Sequence, residues 1–165
     1  MLPLTQECEN ACVLDAISYI WHLNTPDVQI CSHQLIYIAT CILYGNGFKM
    51  NQSFCCERWM DLFIECSFVE QMGCFNDLQG LRSFVQSNLK NGDLGIIGMQ
   101  FTFTTLGHCI VFKKIESIGV IMFDPRKGEY VEDGNYPVDI IKKVYIFKVN
   151  CGIIADYYKS CLLIG

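Results

Sequence analysis

The sequence predicts an α+β fold: an N-terminal helical part, then a C-terminal, largely antiparallel sheet. Two patterns and one bound point to it. In the first half, apolar residues recur at helical spacing. After Asn91-Gly92 they come instead in short runs rich in Ile, Val and Phe, bounded by Gly or charge. The bound is size. With 165 residues, 52% of them apolar and 18% charged, the chain can fill one core but hardly two, so residues 1–165 are expected to form a single domain.

The elements follow in order. Asn10 is placed to cap a helix over 11–23, where Val13, Leu14, Ile17, Ile20 and Trp21 share a face. A second helix is expected over 32–44, stopped by Gly45-Asn46-Gly47, and a third over 53–66. A fourth begins after Asn76 or Asp77 and runs to Asn91-Gly92. Strands are expected at 94–101, 109–115, 120–123 and 144–149. The tail, 151–165, fits either a closing helix or a last strand. Helices followed by a run of strands argue for an α+β domain rather than alternating βαβ units.

Composition narrows the function classes. The formal net charge is −5, and the densest basic spots are Lys113-Lys114 and Lys142-Lys143. That is no phosphate-tracking surface, so a nucleic-acid partner is not expected. No charge-free apolar stretch reaches the length of a membrane span. The eleven cysteines are odd in number, and most lie inside apolar runs such as Ala39-Thr40-Cys41-Ile42-Leu43. They fit small core hydrophobes better than a disulfide framework, and Met1-Leu2-Pro3-Leu4 does not open a signal peptide. A reduced, intracellular, cytoplasmic protein is expected, in host cytoplasm if the source is a virus or a secreted effector.

Three residues and one donor carry the candidate chemistry. Cys12 falls in the first turn of the first helix, where unpaired N–H groups and the dipole favour a thiolate. Gln6 lies upstream with five residues between, placed to donate to an oxyanion at that helix end. His108 opens an apolar strand, and Asp124 ends the next one with fifteen residues between them. If the two strands pair through Ser117-Ile118-Gly119, their ends lie side by side and Asp124 can accept the imidazole N–H. Taken singly, these residues fit a core cysteine, a surface histidine and a turn carboxylate. Their joint order is what points to thiol chemistry.

That order of Gln, five residues, Cys on a helix, a long helical stretch, Gly-His opening an apolar strand and a strand ending in Asp resembles the papain-like cysteine peptidases. The resemblance implies a papain-like fold with Gln6 as oxyanion donor, Cys12 as nucleophile, His108 as general base and Asp124 as the residue orienting it. The run Gly107–Gly128 resembles the bacteriocin-leader peptidases of ABC exporters. Gln6–Cys12 resembles the ubiquitin C-terminal hydrolases. Layout and size, with a late strand at Val144–Val149, are similar to Josephin-type deubiquitinases. The implied activity is peptide or isopeptide hydrolysis, on a polypeptide or on ubiquitin or a ubiquitin-like modifier. Two departures stand out: Val13 follows the nucleophile position where many relatives carry a small residue, and Cys8 is a competing thiol ahead of the helix.

Other chemistries find less support. Cys55-Cys56, Cys66 and Cys74 contain no CxxC pair, so no metal is expected. His22 and His33 fit surface or interface positions, and Trp21 and Trp59 fit core positions. No GxGxxG, P-loop, HExxH or GxSxG occurs, which disfavours nucleotide, zincin and serine-hydrolase readings, and no cofactor is expected. Two alternatives to a hydrolase stay open: a non-catalytic binding module on the same fold, and an acyl or peptidyl transferase using the same thiol.

Overall fold

The computed structural model describes residues 12–25, 30, 34, 35, 38, 56–101, 108–131 and 141–162. Along the chain run α1 (Cys12–Asn24), α2 (Cys56–Glu65), β1 (Val69–Phe75), α3 (Leu78–Asn88), β2 (Leu94–Phe101), β3 (His108–Ile115), β4 (Gly119–Asp124), β5 (Glu129–Val131), β6 (Ile141–Val149) and α4 (Cys151–Leu162). Gln34, Leu35 and Ile38 are helical, inside the second expected helix, whose other residues lie outside the described ones. The strands form one open antiparallel sheet in the order β1-β6-β2-β3-β4-β5. The mixed α+β class expected from the sequence is therefore present. Among the described residues, no helix is long and apolar enough to cross a membrane.

Strand alternation builds a core on each face of the sheet. Ile96, Cys109, Val111 and Phe147 face a layer made by α1, α2 and α4, with Leu14, Ile17, Ile20, Phe63 and Ile154 at its centre. Their strand neighbours Ile97, Ile110, Phe112 and Ile146 face α3, which contributes Leu81 and Val85. Aromatic contacts tie the first layer together. Trp21 meets Tyr158 of α4, and Phe68 lies between Phe63 and Tyr157. The tail is a helix, and Asn150 ahead of it anchors it by donating from its backbone to Phe68 O (2.9 Å) and from its side chain to Ser67 O (2.8 Å).

Two strands went unpredicted, β1 and β5, and they are the two edges of the sheet. An edge strand pairs on one side only and needs little apolar sequence. In β1, Val-Glu-Gln-Met-Gly-Cys-Phe is buried fully only at Val69, and β5 has three residues. The end of α3 also differs. The helix stops at Asn88 rather than at Asn91-Gly92, with Asp77 capping its start through a 2.8 Å bond from Gly80 N. Its last carbonyls are held from a distance: Lys114 of β3, almost fully buried, donates from Nζ to Gln86 O (2.9 Å) and to Leu89 O. A cation at a helix C-terminus satisfies carbonyls that local sequence leaves open.

Gly95 in β2 has a steric reason. A Cβ there would stand 2.6 Å from Phe147 O and 2.5 Å from the Phe112 ring. Gly152 near the start of α4 has nothing within 4 Å of the same position. Gly95→Ala should therefore destabilise the fold by about 1–3 kcal/mol through overpacking. Gly152→Ala should stabilise it by about 0.5 kcal/mol through backbone entropy. Urea denaturation of both variants checks the contrast, and equal effects would contradict this packing.

Candidate active site

Helix α1 carries a stripe of Cys12, Asp15 and Tyr19 at i, i+3 and i+7, which share one face. The stripe lies along the β3–β4 hairpin. Tyr19 stacks on Phe123 with ring centroids 4.8 Å apart. One turn earlier, Asp15 feels the charges of Asp124 and Arg126. Cys12, the first residue of the helix, lies about 10 Å further along the axis than Tyr19. Phe123 pairs with Val111, and His108 lies three residues up the strand from Val111, again about 10 Å. Helix and hairpin thus bring Cys12 and His108 to the same end of the sheet. At that end Cys12, 3% exposed, packs in the core layer that also holds Cys109 and Val111.

His108 and Asp124 are joined directly. His108 Nε2 lies 2.8 Å from Asp124 Oδ2, with the imidazole about one-fifth exposed and the carboxylate buried. The expected hairpin is what joins them: β3 and β4 pair from Val111↔Phe123 to Ile115↔Gly119, and Gly119 takes a positive φ of 101° at the turn. Asp124 is fixed from its other side as well. Its Oδ1 accepts from Arg126 N (3.0 Å) and Lys127 N (3.4 Å), and its carbonyl accepts from Gly128 N (2.8 Å). Gly128 supplies the positive φ, 68°, that closes this turn. A carboxylate can only accept, so Nε2 carries the proton in this bond and the basic lone pair falls on Nδ1.

Strand alternation places His108 with Ile110 and Phe112, whereas Cys109 and Val111 face α1. Asp124 has the same parity as Met122, on the His108 side. The imidazole and its carboxylate therefore meet on one face of the sheet. Gln6 and Cys8 lie outside the described residues, as does Asn10. Val13 is fully buried in the core.

Asp15 was not singled out from the sequence. An acid in a helix's first turn ordinarily complements the dipole from the solvent side. Here it is 8% exposed, and its Oδ2 has no hydrogen-bond partner among the described residues. Burial pushes its carboxyl up from 3.8 to about 7, with Arg126 pulling it down and Asp124 pushing it up further. The available signal was its spacing, three residues after Cys12.

Cys66 donates to Phe63 O (3.6 Å), and burial pushes it up to about 11. Burial also raises Cys151. Among the described residues, no three His, Cys, Asp or Glu side chains group closely enough to hold a metal ion. A cavity of about 490 Å³, lined by Arg82, Gln86, Lys114, Ile118 and Tyr130 among others, lies beside α3 and β4 and includes neither Cys12 nor His108. No protein-family model matches the chain, and no curated protein matches it.

The buried Asp15 makes stability depend on pH. Its folded-state affinity for a proton exceeds the unfolded one, so stability is full below about pH 4 and is lost as pH rises through about 7. The loss is on the order of 4 kcal/mol at most. Asp15→Asn, neutral at every pH, should melt close to wild type near pH 4 and at least about 5 °C higher at pH 8. Calorimetry across that range checks it. A gap that does not widen with pH would show that Asp15 does not titrate as described.

Proposed function

We propose that this chain is a papain-like cysteine peptidase or isopeptidase. The single observation supporting this most is the 2.8 Å bond between His108 Nε2 and Asp124 Oδ2 at the sheet end where α1 presents Cys12. In this reading Asp124 fixes the tautomer, and Nδ1 of His108 takes the Cys12 proton. The thiolate, favoured by the α1 N-terminus, adds to the scissile carbonyl. Gln6 donates to the resulting oxyanion. His108 then protonates the leaving amine as the C–N bond breaks. Water, deprotonated by the same imidazole, releases the acyl group from sulfur.

The substrate is a polypeptide, and the resemblance extends it to the C-terminal tail of ubiquitin or a ubiquitin-like protein, cleaved in the cytoplasm. A transferase would use the same thioester with an amine in place of water. A second reading also has an observation behind it. At 3% exposure, and with His108 of opposite strand parity to its neighbours on α1, Cys12 also fits a core thiol in a non-catalytic binding module.

Variants separate the readings. Cys12→Ala should abolish hydrolysis of a peptide or ubiquitin-like C-terminal reporter, and His108→Ala should do nearly as much. Gln6→Ala should slow turnover by about 10²-fold while the thiol still reacts with a small electrophile. Asp124→Ala should be intermediate, and Cys8→Ala close to neutral. Steady-state kinetics together with an electrophilic thiol probe measure all five. Loss of activity in Cys8→Ala but not in Cys12→Ala would move the nucleophile. No labelling and no turnover in wild type would leave the binding module.

A further inference from the structure

The site holds a second carboxylate that the peptidase reading does not use. Asp15 lies one helical turn from Cys12 on the same face, where side chains three residues apart have Cβ atoms about 5–6 Å apart. It is buried, and its Oδ2 has no hydrogen-bond partner among the described residues. It cannot share a proton-donor set with Asp124, because both Asp124 oxygens are engaged, Oδ2 by His108 and Oδ1 by the turn amides. The titratable and charged groups around Asp15 are Cys12 and Tyr19 on its own helix, Asp124 at the end of β4, Arg126 in the turn after it, and Tyr130 on β5 behind Phe123. Of these, Cys12 is the group nearest along the helix whose reaction requires negative charge.

We infer that Asp15 is a positioning residue whose charge state sets the reactivity of Cys12: its neutral form supports the thiolate, and its ionised form suppresses it. The inference rests on the proposed role of Cys12. Two like charges on adjacent turns of a buried helix face repel, and the effect is large where water is excluded. Arg126 offsets part of the repulsion and draws the Asp15 ionisation toward lower pH. When Asp15 ionises, its proton leaves to solvent, and no other bond changes. Ionisation near neutral pH therefore leaves the thiol unhindered on the acid side of neutrality and suppresses it on the alkaline side.

The test reads the thiol itself, without a substrate. Cys12 is alkylated with iodoacetamide between pH 5.5 and 8.5 in wild type, Asp15→Asn and Arg126→Gln, and its rate is taken from peptide mass mapping. The ratio of Asp15→Asn to wild type should be near one at the acid end and rise to about three- to tenfold at pH 8. In Arg126→Gln the slow-down seen in wild type should begin at higher pH, because the cation that favours Asp15 ionisation is gone. This second variant keeps Asp15 in place and carries the test should Asp15→Asn fail to fold. A ratio that does not change with pH, together with an unmoved onset in Arg126→Gln, would overturn the inference while Cys12 still labels and the peptidase reading stands. If Cys12 does not label in any variant at any pH, both fall.

Discussion

The hydrogen bond from His108 Nε2 to Asp124 Oδ2 is possible only because the β3–β4 hairpin returns the chain to its own starting edge. His108 is the first residue of one strand and Asp124 the last of the next. A slip of one residue in that register would turn one of them to the opposite face and break the pair. Register here is held by the two cores as much as by the turn. Val111 and Phe123 must face α1 while Phe112 and Met122 face α3. The site's geometry is thus set by the burial of apolar side chains on both sides of the sheet, and the polar pair inherits it.

The same hairpin positions α1. Tyr19 stacks on Phe123, and Phe123 meets Tyr130 edge-on at 5.3 Å, so three aromatic rings run from helix to edge strand. A stacked ring pair fixes both the height of a helix along a sheet and its rotation. With Tyr19 fixed, the residues four and seven positions earlier have little freedom, and Asp15 and then Cys12 fall at the end of the hairpin. Nothing polar has to bring Cys12 to that end of the sheet.

Much of this was legible in the sequence. The first helix, the hairpin and the placement of His108 and Asp124 at facing strand ends follow from apolar periodicity and from the spacing between turn residues. The unread parts share a physical cause: each depends on contacts between residues far apart in the chain. The edge strands β1 and β5 are strands because β6 and β4 lie beside them. Helix α3 ends where Lys114 reaches its carbonyls, 25 residues away from Leu89. Asp15 looks like an ordinary first-turn acid until Asp124 and Arg126 arrive from the other half of the chain. The proposed papain-like reading rests on motif order and residue roles, whereas the structure itself gives a mixed α+β fold with one open six-stranded antiparallel sheet.

A carboxyl group buried without a hydrogen-bond partner, among the described residues, for one of its oxygens is an expensive arrangement for a fold of this size. Stability alone would favour a leucine or an asparagine at position 15, either of which a helix accepts. The fold instead keeps an ionisable group whose charge changes near neutrality, on the helix face that carries Cys12, and sets an arginine close enough to moderate it. Among the described cysteines, Cys66 and Cys151 are raised chiefly by burial, as thiols in an apolar layer are. Cys12 differs from them in its surroundings: a helix N-terminus, an acid one turn away and an imidazole–carboxylate pair at the same sheet end. Groups from α1, β3 and β4 thus lie at one end of the sheet. In the proposed reading, that grouping is what distinguishes Cys12 from a cysteine that fills space.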